Sequence, residues 1–149
     1  MKTRPPGFTL IELMVVIALI AVASAMTSLA LRDPAATRLE HEGARLVALL
    51  EAARTEARAS GLSASWQPKV DANGAGSFRF VGLPPSSEQP TKWLNEGVTA
   101  DISGARAVLL GPEPLIGAQH IVLRLGEQRL SLSTDGLGPF VVDSETPSR

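Results

Sequence analysis

The sequence predicts an α+β fold: a long N-terminal helix, membrane-spanning in its first half, packed in its second half against an antiparallel β-sheet. Three observations carry this. Phe8 to Leu31 is a run of 24 residues with a single ionisable side chain, Glu12. From Ala35 to Ser60 the apolar residues recur at helical spacing. Beyond Gly61 the pattern changes to alternation with a period of two, broken by Gly- and Pro-rich turns.

The apolar run comes first. About 20 apolar residues suffice for a helix to cross the hydrocarbon layer, so residues 8–31 can span a bilayer. Lys2 and Arg4 precede the run, which places the N-terminus on the cytoplasmic side and the remainder on the far side, in a periplasm or its equivalent. A carboxylate inside such a run costs roughly 2.5 to 3.5 kcal/mol on insertion scales, so Glu12 calls for a partner. A cleaved secretory signal with its site at Ala23-Ser24-Ala25, or a plain single-pass anchor, also fits parts of this pattern. Neither accounts for Glu12.

The junction Gly7-Phe8-Thr9-Leu10-Ile11-Glu12-Leu13, behind a basic leader, resembles the class III signal of type IV pilins and type II secretion pseudopilins. The resemblance implies that a prepilin peptidase and N-methyltransferase cuts after Gly7 and retains the apolar helix. It also implies that Phe8 becomes the N-methylated mature terminus, and that Glu12 serves assembly. Elementary electrostatics agrees with it. Cleavage creates an ammonium on Phe8, and the Glu12 of one chain can neutralise the Phe8 amine of a stacked neighbour, removing two unpaired charges from a low-dielectric setting.

Past the membrane, Asp33 suits an N-cap and Pro34 the first helical position, where a kink is expected. Leu39, Leu46, Leu49, Leu50, Ala53 and Ala57 fall on one stripe. Glu40, Glu42, Arg45, Glu51, Arg54, Glu56 and Arg58 are assigned to the opposite face, with Glu42 to Arg45 and Glu51 to Arg54 at i, i+3 as solvated pairs or intersubunit bridges. Gly61 is the expected C-cap. Unbroken, the helix from Phe8 to Ser60 would measure about 80 Å at about 1.5 Å per residue. The segment from Arg38 to Gly61, with its Ala53-Arg-x-Glu-Ala57 run, resembles the H-type minor pseudopilins of type II secretion and the related FimT-type pilins. The parts are then a leader over 1–7, a transmembrane half-helix over 8–31, an amphipathic half-helix over 32–61 and a β-rich domain over 62–149.

Within that domain, Leu62, Ala64 and Trp66, then Phe78 and Phe80, read as a hairpin around the Asp71–Gly76 turn. Gly82 to Lys92, with three prolines, reads as an exposed loop, after which Trp93 and Leu94 are expected to re-enter the core. Strands are expected at Val98–Ile102 and Ala105–Leu110. A hairpin with a type II′ Gly126-Glu127 link should join Ile121–Leu125 to Leu130–Leu132, and a last strand is expected at Phe140–Val142.

Composition sets limits on function. With no cysteine in 149 residues, disulfides and thiolate zinc sites are excluded. Two histidines, His41 and His120, without ligand spacing argue against a metal centre. No nucleophile-elbow motif marks a hydrolase, the Gly-x-Gly at Gly74 to Gly76 lacks the following helix of a phosphate site, and Asp71, Asn73 and Gly74 only echo a calcium loop. No enzyme and no cofactor are expected. Residues 33–149 carry 11 basic and 14 acidic side chains, and His120 to Arg149 carries three arginines against four acids, so nucleic acid is an unfavoured partner. By resemblance, the chain is a minor pseudopilin at or near the tip of a short periplasmic filament. It would be built with other major and minor pseudopilins on an inner-membrane assembly platform, and would help move folded proteins through the outer-membrane secretin. A FimT-like minor type IV pilin, serving pilus assembly or DNA uptake, is the alternative, and a periplasmic enzyme released after Ala25 is the reading from another class.

Overall fold

The computed structural model describes residues 9–30 and 33–143, with the side chains of residues 25–30 excepted. The leader, Gly7, Phe8 and the C-terminal tail from residue 144 lie outside the described residues. The chain divides into two compact units, Met1–Asp33 and Pro34–Arg149.

Among its described residues the first unit contains one helix, α1 (Leu10–Ala30), of 21 residues. Thr9 caps it. Its Oγ1 accepts a hydrogen bond from the Glu12 N–H (3.3 Å) and its carbonyl accepts from the Leu13 N–H (3.2 Å), so two of the first-turn amides are satisfied. The side chains from Leu10 to Val22 are exposed on all sides. Among the described residues no helix is long and apolar enough to cross a membrane. The expectation that residues 8–31 span a bilayer therefore rests on their sequence.

The second unit opens with α2 (Pro34–Ser60). The helical run is interrupted at the expected place, because Pro34 lacks the N–H that continuation needs and restricts the residue before it. Asp33 is non-helical, and Pro34 takes the first position of α2, where proline is tolerated. At the far end Gly61 adopts φ 68°, the left-handed conformation of a helix C-cap.

Among the described residues seven strands follow: β1 (Ala64–Val70), β2 (Gly76–Val81), β3 (Thr99–Ile102), β4 (Val108–Gly111), β5 (Gln119–Leu125), β6 (Gln128–Thr134) and β7 (Val141–Asp143). They form two antiparallel sheets rather than one, ordered β2-β1-β4 and β3-β5-β6-β7. The expected hairpins are both present. β1 and β2 flank a turn in which Asp71 Oδ1 accepts from the N–H groups of Asn73 (2.9 Å) and Ala75 (2.8 Å). β5 and β6 flank Gly126-Glu127, where Gly126 has φ 60° and no described non-glycine residue has positive φ, the combination of a type II′ turn. Pro68 sits in a strand with partners on both sides, yet β4 pairs only with Ala64 to Trp66, so the missing N–H falls where β1 has β2 alone.

The sheets are tied at one edge by a side chain. Gln119 Oε1 accepts from the Leu109 N–H (2.7 Å) and its Nε2 donates to the Leu109 carbonyl (2.9 Å), so an amide replaces a strand at the border of β4. The core comprises Leu39, Leu46, Leu50, Ala53 and Ala57 of α2 with Trp66, Phe78, Val98, Leu110, Ile121, Leu123, Leu132 and Phe140, among others. α2 lies against strands of both sheets, β1 and β4 on one side and β5, β6 and β7 on the other. Trp93 packs on Phe78, with ring centroids 4.7 Å apart. Leu94, expected inside, is 70% exposed, at the bend that follows Trp93.

A chain beginning at Asp33 is expected to fold as a soluble domain with unchanged circular dichroism on adding chelator. An unfolded chain, or one that gains structure only with metal, would contradict this core.

Candidate functional site

Three groups of residues bear on function. The first is the start of α1. Gly7 and Phe8 lie outside the described residues; Glu12 is described, exposed, and occupies the third position of the helix. Thr9-x-x-Glu12 is the capping-box spacing, and the Thr9 half of the box is formed. The motif thus has a local role alongside any intermolecular one: it fixes where the helix starts, and hence the depth of the Glu12 carboxylate relative to that start.

The second group is the set of charges on α2. The pairs Glu42–Arg45 (3.6 Å) and Glu51–Arg54 (3.7 Å) form at the expected spacing, but they are not a solvated face. Glu42 is 0% and Arg54 2% exposed. Arg54 Nη1 donates to the Gly138 carbonyl (2.7 Å), and Nη2 to the carbonyls of Gly136 (3.0 Å) and Pro114 (3.5 Å). Glu51 Oε1 accepts from the Phe140 N–H (3.0 Å). Together they hold the β4–β5 and β6–β7 connections on the helix. Gly136 fits this clamp because φ is 87° and a Cβ there would run into the Gly117 backbone. Glu42 Oε1 accepts from both the N–H (2.7 Å) and the Nδ2 (3.0 Å) of Asn95, fixing the β2–β3 connection. The signal was present in the sequence. Leu39, Glu42, Leu46, Leu50, Arg54 and Ala57 follow steps of 3, 4, 4, 4 and 3, a single seam on which the two charged residues are interior members.

In the β6–β7 turn, the Gly138 N–H, with that of Leu137, holds the Asp135 carboxyl below the usual carboxylate range. A depressed value means that this contribution to the turn is complete above the ordinary carboxylate pKa of about 3.9 and is lost as pH falls through the lower folded value.

The third group is His120, Ser133 and Asp143 on β5, β6 and β7. Ser133 Oγ donates to Asp143 Oδ1 (2.7 Å), and His120 Nδ1 lies 3.7 Å from Asp143 Oδ2. The acid stands between the other two. Activation of a serine needs the histidine in that place, so the cluster reads as a fastening of the short last strand. His41 is exposed on α2, away from any acid cluster: among the described residues no group of acids and histidines could hold a metal ion.

Comparison with known proteins bears on the first group and on the fold. Residues 4–28 match the family described as the prokaryotic N-terminal methylation motif. The crystal structure of the type IV minor pilin FimU from Pseudomonas aeruginosa (strain PAO1) shares the fold, with a TM-score of 0.53 at 16% identity over 72% of this chain and 90% of that one. The chain carries that motif and has a pilin-like fold. Its motif implies processing by a prepilin peptidase and partners of pilin type. No curated protein matches the sequence significantly. The methylation motif takes in most of α1, and the helix-on-sheet arrangement is that of α2 with the two sheets.

Arg54→Ala is expected to lower the unfolding free energy of the soluble domain by about 3 to 5 kcal/mol, since it strips a buried network of its cation. Arg54→Lys should recover part of this, having one charge but no planar fork. Arg58→Ala, at an exposed position, should stay within about 0.5 kcal/mol. Urea titration checks all three, and equal losses at positions 54 and 58 would contradict the clamp.

Proposed function

We propose that the chain is a minor pseudopilin, a non-enzymatic structural subunit at or near the tip of a type II secretion pseudopilus. It is held in the inner membrane by residues 8–31 with its β-rich domain in the periplasm. The observation that supports this best is the match to the methylation motif over residues 4–28, a stretch that takes in most of α1, whose apolar side chains from Leu10 to Val22 are exposed. An apolar run of this kind belongs in lipid or among other helices, and the 24 residues from Phe8 to Leu31, if helical throughout, would measure about 36 Å at about 1.5 Å each, enough for a bilayer core. The reading includes cleavage after Gly7, N-methylation of Phe8, and assembly with other major and minor pseudopilins on the inner-membrane platform.

A second reading has a specific observation in its favour: the shared fold with a type IV minor pilin fits a FimT-like minor pilin of a surface pilus. The excess of acids over arginines from His120 onward speaks against a DNA-uptake role within that reading. The two readings share the processing site and the assembly chemistry of Glu12, and differ in which machine the subunit joins.

Glu12→Leu is the test. Removing an acid from the apolar run makes insertion cheaper by roughly 2.5 to 3.5 kcal/mol, so the monomer should insert and be processed normally. In the filament the Phe8 ammonium of a neighbour loses its counter-charge, and breaking half of a buried pair costs about 3 to 5 kcal/mol. Incorporation should fall by orders of magnitude, with Glu12→Asp intermediate. Crosslinking to other pseudopilins, scored beside export of a secreted protein and beside surface piliation, measures the loss and separates the two machines. Undiminished crosslinking in Glu12→Leu would contradict the charge-pair account.

A further inference from the structure

Between the β1–β2 turn and the segment leading into β3 lies a cleft of about 570 Å³, within the range of ligand-binding clefts. Its lining includes Asp71, Asn73, Lys92, Trp93, Asn95 and Glu96. Both walls are held rigidly. One is the turn closed by Asp71 Oδ1 on the Asn73 and Ala75 amides. The other is fixed from behind by α2: Arg45 Nη1 donates to the Lys92 carbonyl (3.1 Å), and the fully buried Glu42 takes both nitrogens of Asn95. Glu42 Oε2 has no hydrogen-bond partner among the described residues and lies 3.6 Å from Arg45 Nη1.

A carboxylate buried this far is costly, and a well-packed apolar side chain would serve stability at least as well. What Glu42 does instead is set the conformation of residues 92–95. With its amide nitrogen engaged, the Asn95 side chain is left with its oxygen as the free acceptor. The cleft therefore combines two carboxylates, Asp71 and Glu96, an oriented amide oxygen and a half-buried indole, against one amine, that of Lys92. Acceptors beside an aromatic side chain are the chemistry that receives a cation.

We propose that this cleft receives an arginine or lysine side chain presented by a loop of a partner protein. The charge complementarity selects the partner: carboxylates outnumber the single amine, and a planar guanidinium would pair with a carboxylate while lying on Trp93. The inference is independent of how the N-terminus is processed.

The test uses the full chain in detergent micelles, observed by amide and indole NMR. Three probes are titrated: the tripeptide acetyl-Gly-Arg-Gly-amide, its Gln counterpart, and maltotriose. The arginine peptide should shift the Trp93 indole, the Asn95 side-chain amide and the Gly74 amide, with millimolar affinity that weakens as salt is raised. The glutamine peptide should bind at least ten-fold more weakly. Glu96→Gln, and Asp71→Asn with Glu96→Gln together, should reduce arginine-peptide affinity progressively. The Asp71→Asn change keeps a side-chain oxygen to close the turn, and unshifted β5–β6 amides verify the fold of each variant. Absence of shifts, equal binding of the glutamine peptide, tighter binding of maltotriose, or indifference to both carboxylate changes would each overturn the proposal.

Discussion

The folded unit depends on a helix that must bury one seam completely while two members of that seam are charged. α2 places Leu39, Leu46, Leu50 and Ala57 under strands of both sheets, and on the same line it carries Glu42 and Arg54. Each is resolved by giving the buried charge backbone partners from elsewhere in the chain: three carbonyls for Arg54, and an amide and side-chain nitrogen for Glu42. In a chain without cysteine these contacts do what disulfides do in small cysteine-rich domains. They pin long connections that have little strand pairing of their own. The same groups are thus the most expensive in the core and the ones that give its loops a single conformation.

Much of the fold was legible because it is written in local periodicity. The α2 stripe, the Gly61 cap, the Asp71–Gly76 turn and the Gly126-Glu127 link each depend on a few neighbouring residues, and each appears where expected. The division into two sheets was not legible, since it depends on β1 choosing β4 over β3 and on a single glutamine bridging Leu109, choices made across dozens of residues. The charges of α2 differ from expectation for another reason. Their charge type points to solvent, while the spacing of Glu42 and Arg54 from their leucine neighbours puts them on the buried side.

At the N-terminus, Gly7, Phe8 and Glu12 read from the sequence as a processing and assembly motif, and the structure adds to it the capping role of Thr9. That cap joins the two levels, because the helix start it defines sets the depth of the one carboxylate in the apolar run. The two compact units divide the work accordingly. The first offers an apolar helix whose side chains from Leu10 to Val22 are exposed; the second offers a surface whose loops are fastened from within.

The central claim is that the apolar helix is retained behind a cut made at its cytoplasmic edge. The most direct measurement is the N-terminal residue and intact mass of the mature chain isolated from its own membranes. The account predicts a chain beginning at Phe8 and heavier by one methyl group than the unmodified sequence from that residue. A mature chain beginning at Met26, after the Ala23-Ser24-Ala25 site, would contradict it.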